Sequence, residues 1–103
     1  MDHTEFYLQP FAFFHREAQS GNALAQACLG RNYIHGLGVE RNHRYGYFWI
    51  RMSGHKCSMS LIILGFCHQH GIGVQRDLFN AIDDYRRANT HSSKILLDSL
   101  FLI

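Results

Sequence analysis

A self-similarity with a step of 35 residues constrains this chain more than anything else in it. Leu29-Gly30 returns as Leu64-Gly65, His35-Gly36 as His70-Gly71, and Gly38-Val39-x-Arg41 as Gly73-Val74-x-Arg76. Arg16, Arg51 and Arg86 keep the same step. A period of this length is too long for a leucine-rich unit and fits two helices with their turns. Within 103 residues it predicts one domain. The expected parts are a partial unit over 8–20, repeats over 22–54 and 57–89, and a C-terminal capping segment over 92–103.

Apolar spacing agrees with helices. Leu29, Tyr33 and Ile34 share one side of a first helix, and Tyr45, Phe48, Trp49 and Met52 recur at i, i+3, i+4, i+7 on a second. Leu61, Leu64 and Gly65, then Leu78, Ile82 and Tyr85, repeat the pattern. Both sets are expected to face the core. Gly36 and Gly71 fall where a first helix should end in a left-handed residue, and Asn42 and Asp77 where a second helix needs its free N–H groups capped. Pro10 is suited to a helix start. Gly30 and Gly65 lie inside first helices, where glycine costs roughly 1 kcal/mol against alanine. Close approach of a second helix, at Gly46 and Ala81, is the expected compensation.

The run from Gly21 to Val39 (G-N-A-L-A-Q-A-C-L-G-R-N-Y-I-H-G-L-G-V) resembles the Sel-1-like repeat, whose pattern is roughly G-x-A-x-A-Q-x-x-L-G-x-x-Y-x-x-G-x-G-V. The second half of that pattern is similar to Asn42, Gly46, Trp49 and Ile50-Arg51, and again to Asp77, Ala81 and Tyr85-Arg86-Arg87-Ala88. In the later unit His68 stands for the pattern's tyrosine and Asp84 for its tryptophan, and the pattern is lost after Thr90. The resemblance implies an all-α fold. It would be an α-solenoid of antiparallel helix pairs, a tetratricopeptide-like right-handed superhelix of about five to six helices. It also implies a non-catalytic adaptor or scaffold of the kind used in signalling, quality control or bacterial virulence, with no catalytic residues in the motif.

A helical wheel puts Cys28, Arg31, Asn32 and His35 opposite the core side of the first helix, and Ile63, Phe66, Cys67 and His70 at the matching positions one unit later. First helices usually line the concave side of stacked pairs, so these eight residues are the expected seat for a protein or peptide partner. Arg31 and Asn32 offer polar contacts there, and Ile63 and Phe66 an apolar anchor. Alternatively, the chain's own C-terminal segment covers Ile63 and Phe66. Leu96, Leu97, Leu100, Phe101, Leu102 and Ile103 are apolar nearly all round and are expected to be buried, either as a cap on the last repeat or as a homodimer seam.

Other chemistry is weaker. Hydrophobic residues make up 47% and charged residues 17%, which describes a packed chain, and a formal charge of +2 without basic runs argues against nucleic acid. Three cysteines without C-x-x-C spacing suggest neither a disulfide framework nor a zinc ribbon. No resident cofactor is expected. The rivals to an adaptor are a metal site built from His35, Cys67 and His70, since thiolate and imidazole suit zinc, and a structural repeat module that assembles end to end. Asp83-Asp84 reads as a solvated face rather than an acid pair, and Trp49 as core. No stretch approaches a membrane span and the N-terminus lacks a secretory pattern. A cytoplasmic location is the default expectation, with export as an effector left open.

Overall fold

In the computed structural model, which describes residues 2–101, the elements follow the punctuation of the sequence. They are α1 (His3–Tyr7), α2 (Phe11–Gln19), α3 (Ala23–His35), α4 (His43–Ser53), a 3₁₀ turn (Gly54–Lys56), α5 (Ser58–His70), α6 (Leu78–Ala88) and α7 (His91–Ser99). Among the described residues there is no strand. The chain is an α-solenoid of antiparallel helix pairs, α3 with α4 and α5 with α6, stacked into a body of 40 × 27 × 19 Å.

The helix ends show why these segments stop where they do. Gly36 and Gly71 close α3 and α5 in the left-handed region, at φ 69° and 71°, where a Cβ would be strained. Asn42 and Asp77 then open α4 and α6, their side chains accepting from the backbone N–H groups of Tyr45 at 3.0 Å and Asn80 at 3.1 Å. Pro10 precedes the first residue of α2.

The glycine seam forms as expected in the first pair and differently in the second. A Cβ on Gly30 would lie 2.6 Å from Ile50 Cδ1 and 2.8 Å from the carbonyl oxygen of Gly46, so α3 and α4 touch backbone to backbone. On Gly65 it would lie 2.5 Å from Tyr85 Cε1, so this glycine makes room for a phenol ring rather than for Ala81. The core has two parts. Phe14, Ala18, Ala25, Cys28, Leu29 and Trp49 pack between α2, α3 and α4, and Ala27, Ile34, Ile50, Leu64 and Cys67 pack between α3, α4 and α5. Ser53 donates to the Ala23 carbonyl within its own unit at 2.7 Å and meets the next unit through the Ser60 hydroxyl, 2.6 Å away.

Several expectations about single elements are corrected. The N-terminal helix α1 was not foreseen. Asp2 caps it, and Phe6 packs edge-on against Phe13 and Phe14. Tyr45, Phe48 and Met52 do not join Trp49 in the core. They stay exposed, because the main packing of α4 is against α3 and α5. Leu78 is likewise exposed. Asp83 and Asp84 are not one solvated face, since Asp84 is buried. After Thr90, where the repeat pattern is lost, the expected closing segment forms a helix, α7, started by a reciprocal pair of hydrogen bonds between Thr90 and Ser93. Only part of the C-terminal apolar run is covered. Leu96, Leu97 and Leu100 are half-buried and Phe101 is exposed, while Leu102 and Ile103 lie outside the described residues.

Candidate partner-binding surface

The eight residues expected to form one face divide into a buried row and an accessible row. Cys28 and Cys67 are completely buried and Asn32 is 6% exposed, so these three are packing residues in this structure. The reason is that α3 is packed by α2, α4 and α5 together, and α5 by α3, α4 and α6. A wheel divided into one core side and one free side underestimates burial for a helix with three neighbours. Ile63 is half-buried against the second core.

Arg31, His35, Phe66 and His70 remain within reach of solvent, and they are 31/66 and 35/70 in the 35-residue register, matching places on consecutive first helices. Phe66 and His70 pack ring on ring at 4.3 Å. The Arg31 guanidinium lies over the Tyr7 ring, 5.9 Å from its centre, and its Nε is buried with no partner among the described residues. Beside His70 an open cavity of about 430 Å³ is lined by Gln69, Arg76, Leu78, Ile82, Leu100 and Phe101.

The metal alternative finds no support in this geometry. Among the described residues no group of three or more His, Cys, Asp and Glu is placed to hold an ion. Burial pushes the Cys67 thiol up to about 12 and the Cys28 thiol to about 11, which disfavours the thiolate that zinc requires. His35 and His70 are exposed on the surface while Cys67 points into the core.

The most elaborate polar arrangement involves residues that the sequence marked only as departures. His68 Nδ1 lies 2.6 Å from Asp84 Oδ2, and His68 Nε2 lies 3.1 Å from the Tyr47 hydroxyl. With Nδ1–H donating to Asp84 and the Tyr47 hydroxyl donating to Nε2, a neutral imidazole is fully satisfied. Burial pushes the Asp84 carboxyl above the usual range, against the opposing pull of the His68 hydrogen bond and charge. The cleft beside this chain, about 380 Å³, is lined by Arg51, His55, Asn80 and Arg87 in addition to these three groups. Arg87 is already occupied with Asp83 and His55. Position 68 matches 33 and position 84 matches 49 in the repeat, so a complementary pair stands where the first unit has Tyr33 and Trp49. That shared step was the available signal.

The fold therefore defines an α-helical repeat protein with a graded side-chain surface. The repeat is of the Sel1-like type. The solved structure of a Sel1 repeat protein from Oxalobacter formigenes superposes with a TM-score of 0.72 at 26% sequence identity, over 77% of this chain and 34% of that one. DAP3-binding cell death enhancer 1 of Rattus norvegicus is 35% identical over 71 residues, which is 69% of this chain and 14% of that protein. The chain thus spans a small part of the curated relative and about a third of the solved neighbour. No family model matches the chain. Among the described residues no helix is long and apolar enough to cross a membrane.

Proposed function

We propose that the chain is a non-catalytic adaptor module that holds a protein or peptide partner along α3 and α5, on Arg31, His35, Ile63, Phe66 and His70. The observation that carries this reading is the recurrence of accessible positions 31/66 and 35/70 at the repeat step, next to the open cavity at His70. A ligand laid across stacked units meets such positions in series. The units are taken as 22–54 and 57–89, with the partial unit 8–20 before them and the segment from 92 closing the stack. The name of the rat relative records binding to another protein, which suits the same reading.

The test is quantitative affinity purification with the unaltered chain and with Arg31→Ala combined with Phe66→Ala. Partners recovered by the first and lost by the second support this surface, and identical recovery removes it. Self-association through the C-terminal segment is the second reading, favoured by exposed Ile95 and Phe101 on and beyond α7. A molar mass from light scattering that stays monomeric at high concentration ends it.

A further inference from the structure

A second surface, on different helices and independent of the first-helix face, carries its own chemistry. Tyr45, Phe48 and Met52 form a stripe along the outer side of α4 at i, i+3 and i+7, with exposures of 41%, 47% and 48%. It runs for about 10 Å along the helix axis at 1.5 Å per residue. Tyr45 and Phe48 lie nearly parallel, at an interplanar angle of 9° with their centres 6.0 Å apart. Phe48 separates two open depressions of about 390 and 400 Å³. One is lined by Asn42, Arg44 and Tyr45, the other by Tyr47, Arg51 and Met52.

The segment that carries the stripe holds charged residues of one sign. Residues 41–56 hold Arg41, Arg44, Arg51 and Lys56, four of the chain's ten Lys and Arg, and none of its eight Asp and Glu. The remaining residues carry six cations against those eight carboxylates, so the positive balance of the whole chain resides in this segment. On α6, which shares the neighbouring cleft, Asp83 is paired with Arg87 and Asp84 is buried against His68, and among the described residues neither carboxylate is ion-paired with Arg51.

The geometry points to the outer face of α4 as the seat of an acidic amphipathic helix from a partner protein. Its apolar side chains fill the depressions on either side of Phe48, and its carboxylates reach Arg44 and Arg51. The half-buried posture of the stripe favours this occupant over a lipid surface. Side chains that insert into a bilayer stand clear of the protein, as Phe79 does at 89% exposure, whereas these lie flat between hollows that receive knobs. Helix-in-groove recognition reads apolar anchors at this same spacing, and Arg at the rim supplies bidentate carboxylate contacts.

The test uses a fluorescent, end-capped peptide of about 18 residues, long enough to form helix, with Leu at i, i+3, i+4 and i+7 and Glu on the flanks. An otherwise identical peptide carries Lys in place of Glu. Anisotropy titrations should show the Glu peptide binding at least about tenfold more tightly than the Lys peptide, with an affinity that falls as salt is added. Phe48→Asp, and separately Arg44→Glu with Arg51→Glu, should each weaken it at least about tenfold, while Arg31→Ala with Phe66→Ala leaves it unchanged. Melting curves show that the variants are folded. Equal affinity for the two peptides, or no binding of the Glu peptide, overturns the proposal. Binding of phosphatidylserine vesicles without peptide binding overturns it in favour of a membrane surface. A concentration-dependent dimer abolished by Phe48→Asp overturns it in favour of a second copy.

Discussion

In the pair α3–α4, Tyr33 meets Tyr45 edge-on at 4.7 Å, Trp49 is buried, and Phe48 and Met52 lie on the surface. One repeat step later the same places on α5–α6 hold His68, Asn80, Asp84, Asp83 and Arg87. Backbone geometry is preserved, down to the left-handed glycine and the side-chain cap, while the chemistry changes from aromatic to paired polar. A solenoid tolerates this because each unit contacts only its neighbours, so a complementary exchange at two facing positions is absorbed locally. The consequence is a second-helix surface that is apolar and cationic on α4 and internally neutralised on α6.

Breaking the polar exchange should have the largest effect. Asp84→Ala removes the partner of a buried imidazole and should cost about 3 kcal/mol in urea unfolding. His68→Tyr combined with Asp84→Trp writes the first unit's pair into the second. The double variant should be more stable than either single one, with a coupling of about 1 kcal/mol or more. Additive losses would show that the two positions do not act as a pair.

Next come the seam glycines. Gly30→Ala and Gly65→Ala should each destabilise by about 1–3 kcal/mol through overpacking. Tyr85→Leu should relieve the Gly65 variant, because the obstacle there is a ring. Ile50→Val should not relieve the Gly30 variant, because the Gly46 carbonyl oxygen remains 2.8 Å from the new Cβ. Equal rescue at both sites would contradict the difference between the two seams.

Smaller, at about 1 kcal/mol each, are the losses expected for Asn42→Ala and Asp77→Ala, read from thermal melts. Alkaline pH should draw on buried acids of the second unit as well. Tyr85 is raised from 10.0 to about 12 and Cys67 from 9.0 to about 12, both first of all by burial, and the matching residues of the first unit, Ile50 and Asn32, do not titrate. Both groups stay protonated in the fold and ionise earlier in the unfolded chain. Their stabilisation is therefore complete below pH 9 and lost as pH rises from about 9 to 12. Cys67→Ala with Tyr85→Phe should flatten the fall in urea midpoint between pH 8.5 and about 10.5. An unchanged slope would assign the alkaline loss to other groups, of which Cys28, raised to about 11, is the first to consider. Smallest is Phe48→Asp, which places the second unit's residue on the first unit's surface. It should stay within about 0.5 kcal/mol of the parent in stability, since the ring is half exposed.

Much of this architecture was legible in the residues. The glycines at 36 and 71, the caps at 42 and 77 and the 35-residue step act through local backbone chemistry, and local chemistry is written in order along the chain. Burial was legible only where one neighbour decides it. Trp49 was correctly placed inside, but Tyr45, Phe48 and Met52 share its helical side and end outside, while Cys28, Asn32 and Cys67 look outward on a wheel and end inside. Periodicity fixes which residues share a side of a helix, not how many sides are covered.

The sequence by itself thus determined the helix pairs, their ends and their order, because capping, left-handed closure and repeat spacing need no distant partner. Only the tertiary structure decided which faces stay open, that Asp84 goes inside to meet His68 and Tyr47, and that the aromatic stripe of α4 lies between Arg44 and Arg51. Those outcomes depend on how many helices crowd around each one, which is a property of the stack rather than of any segment.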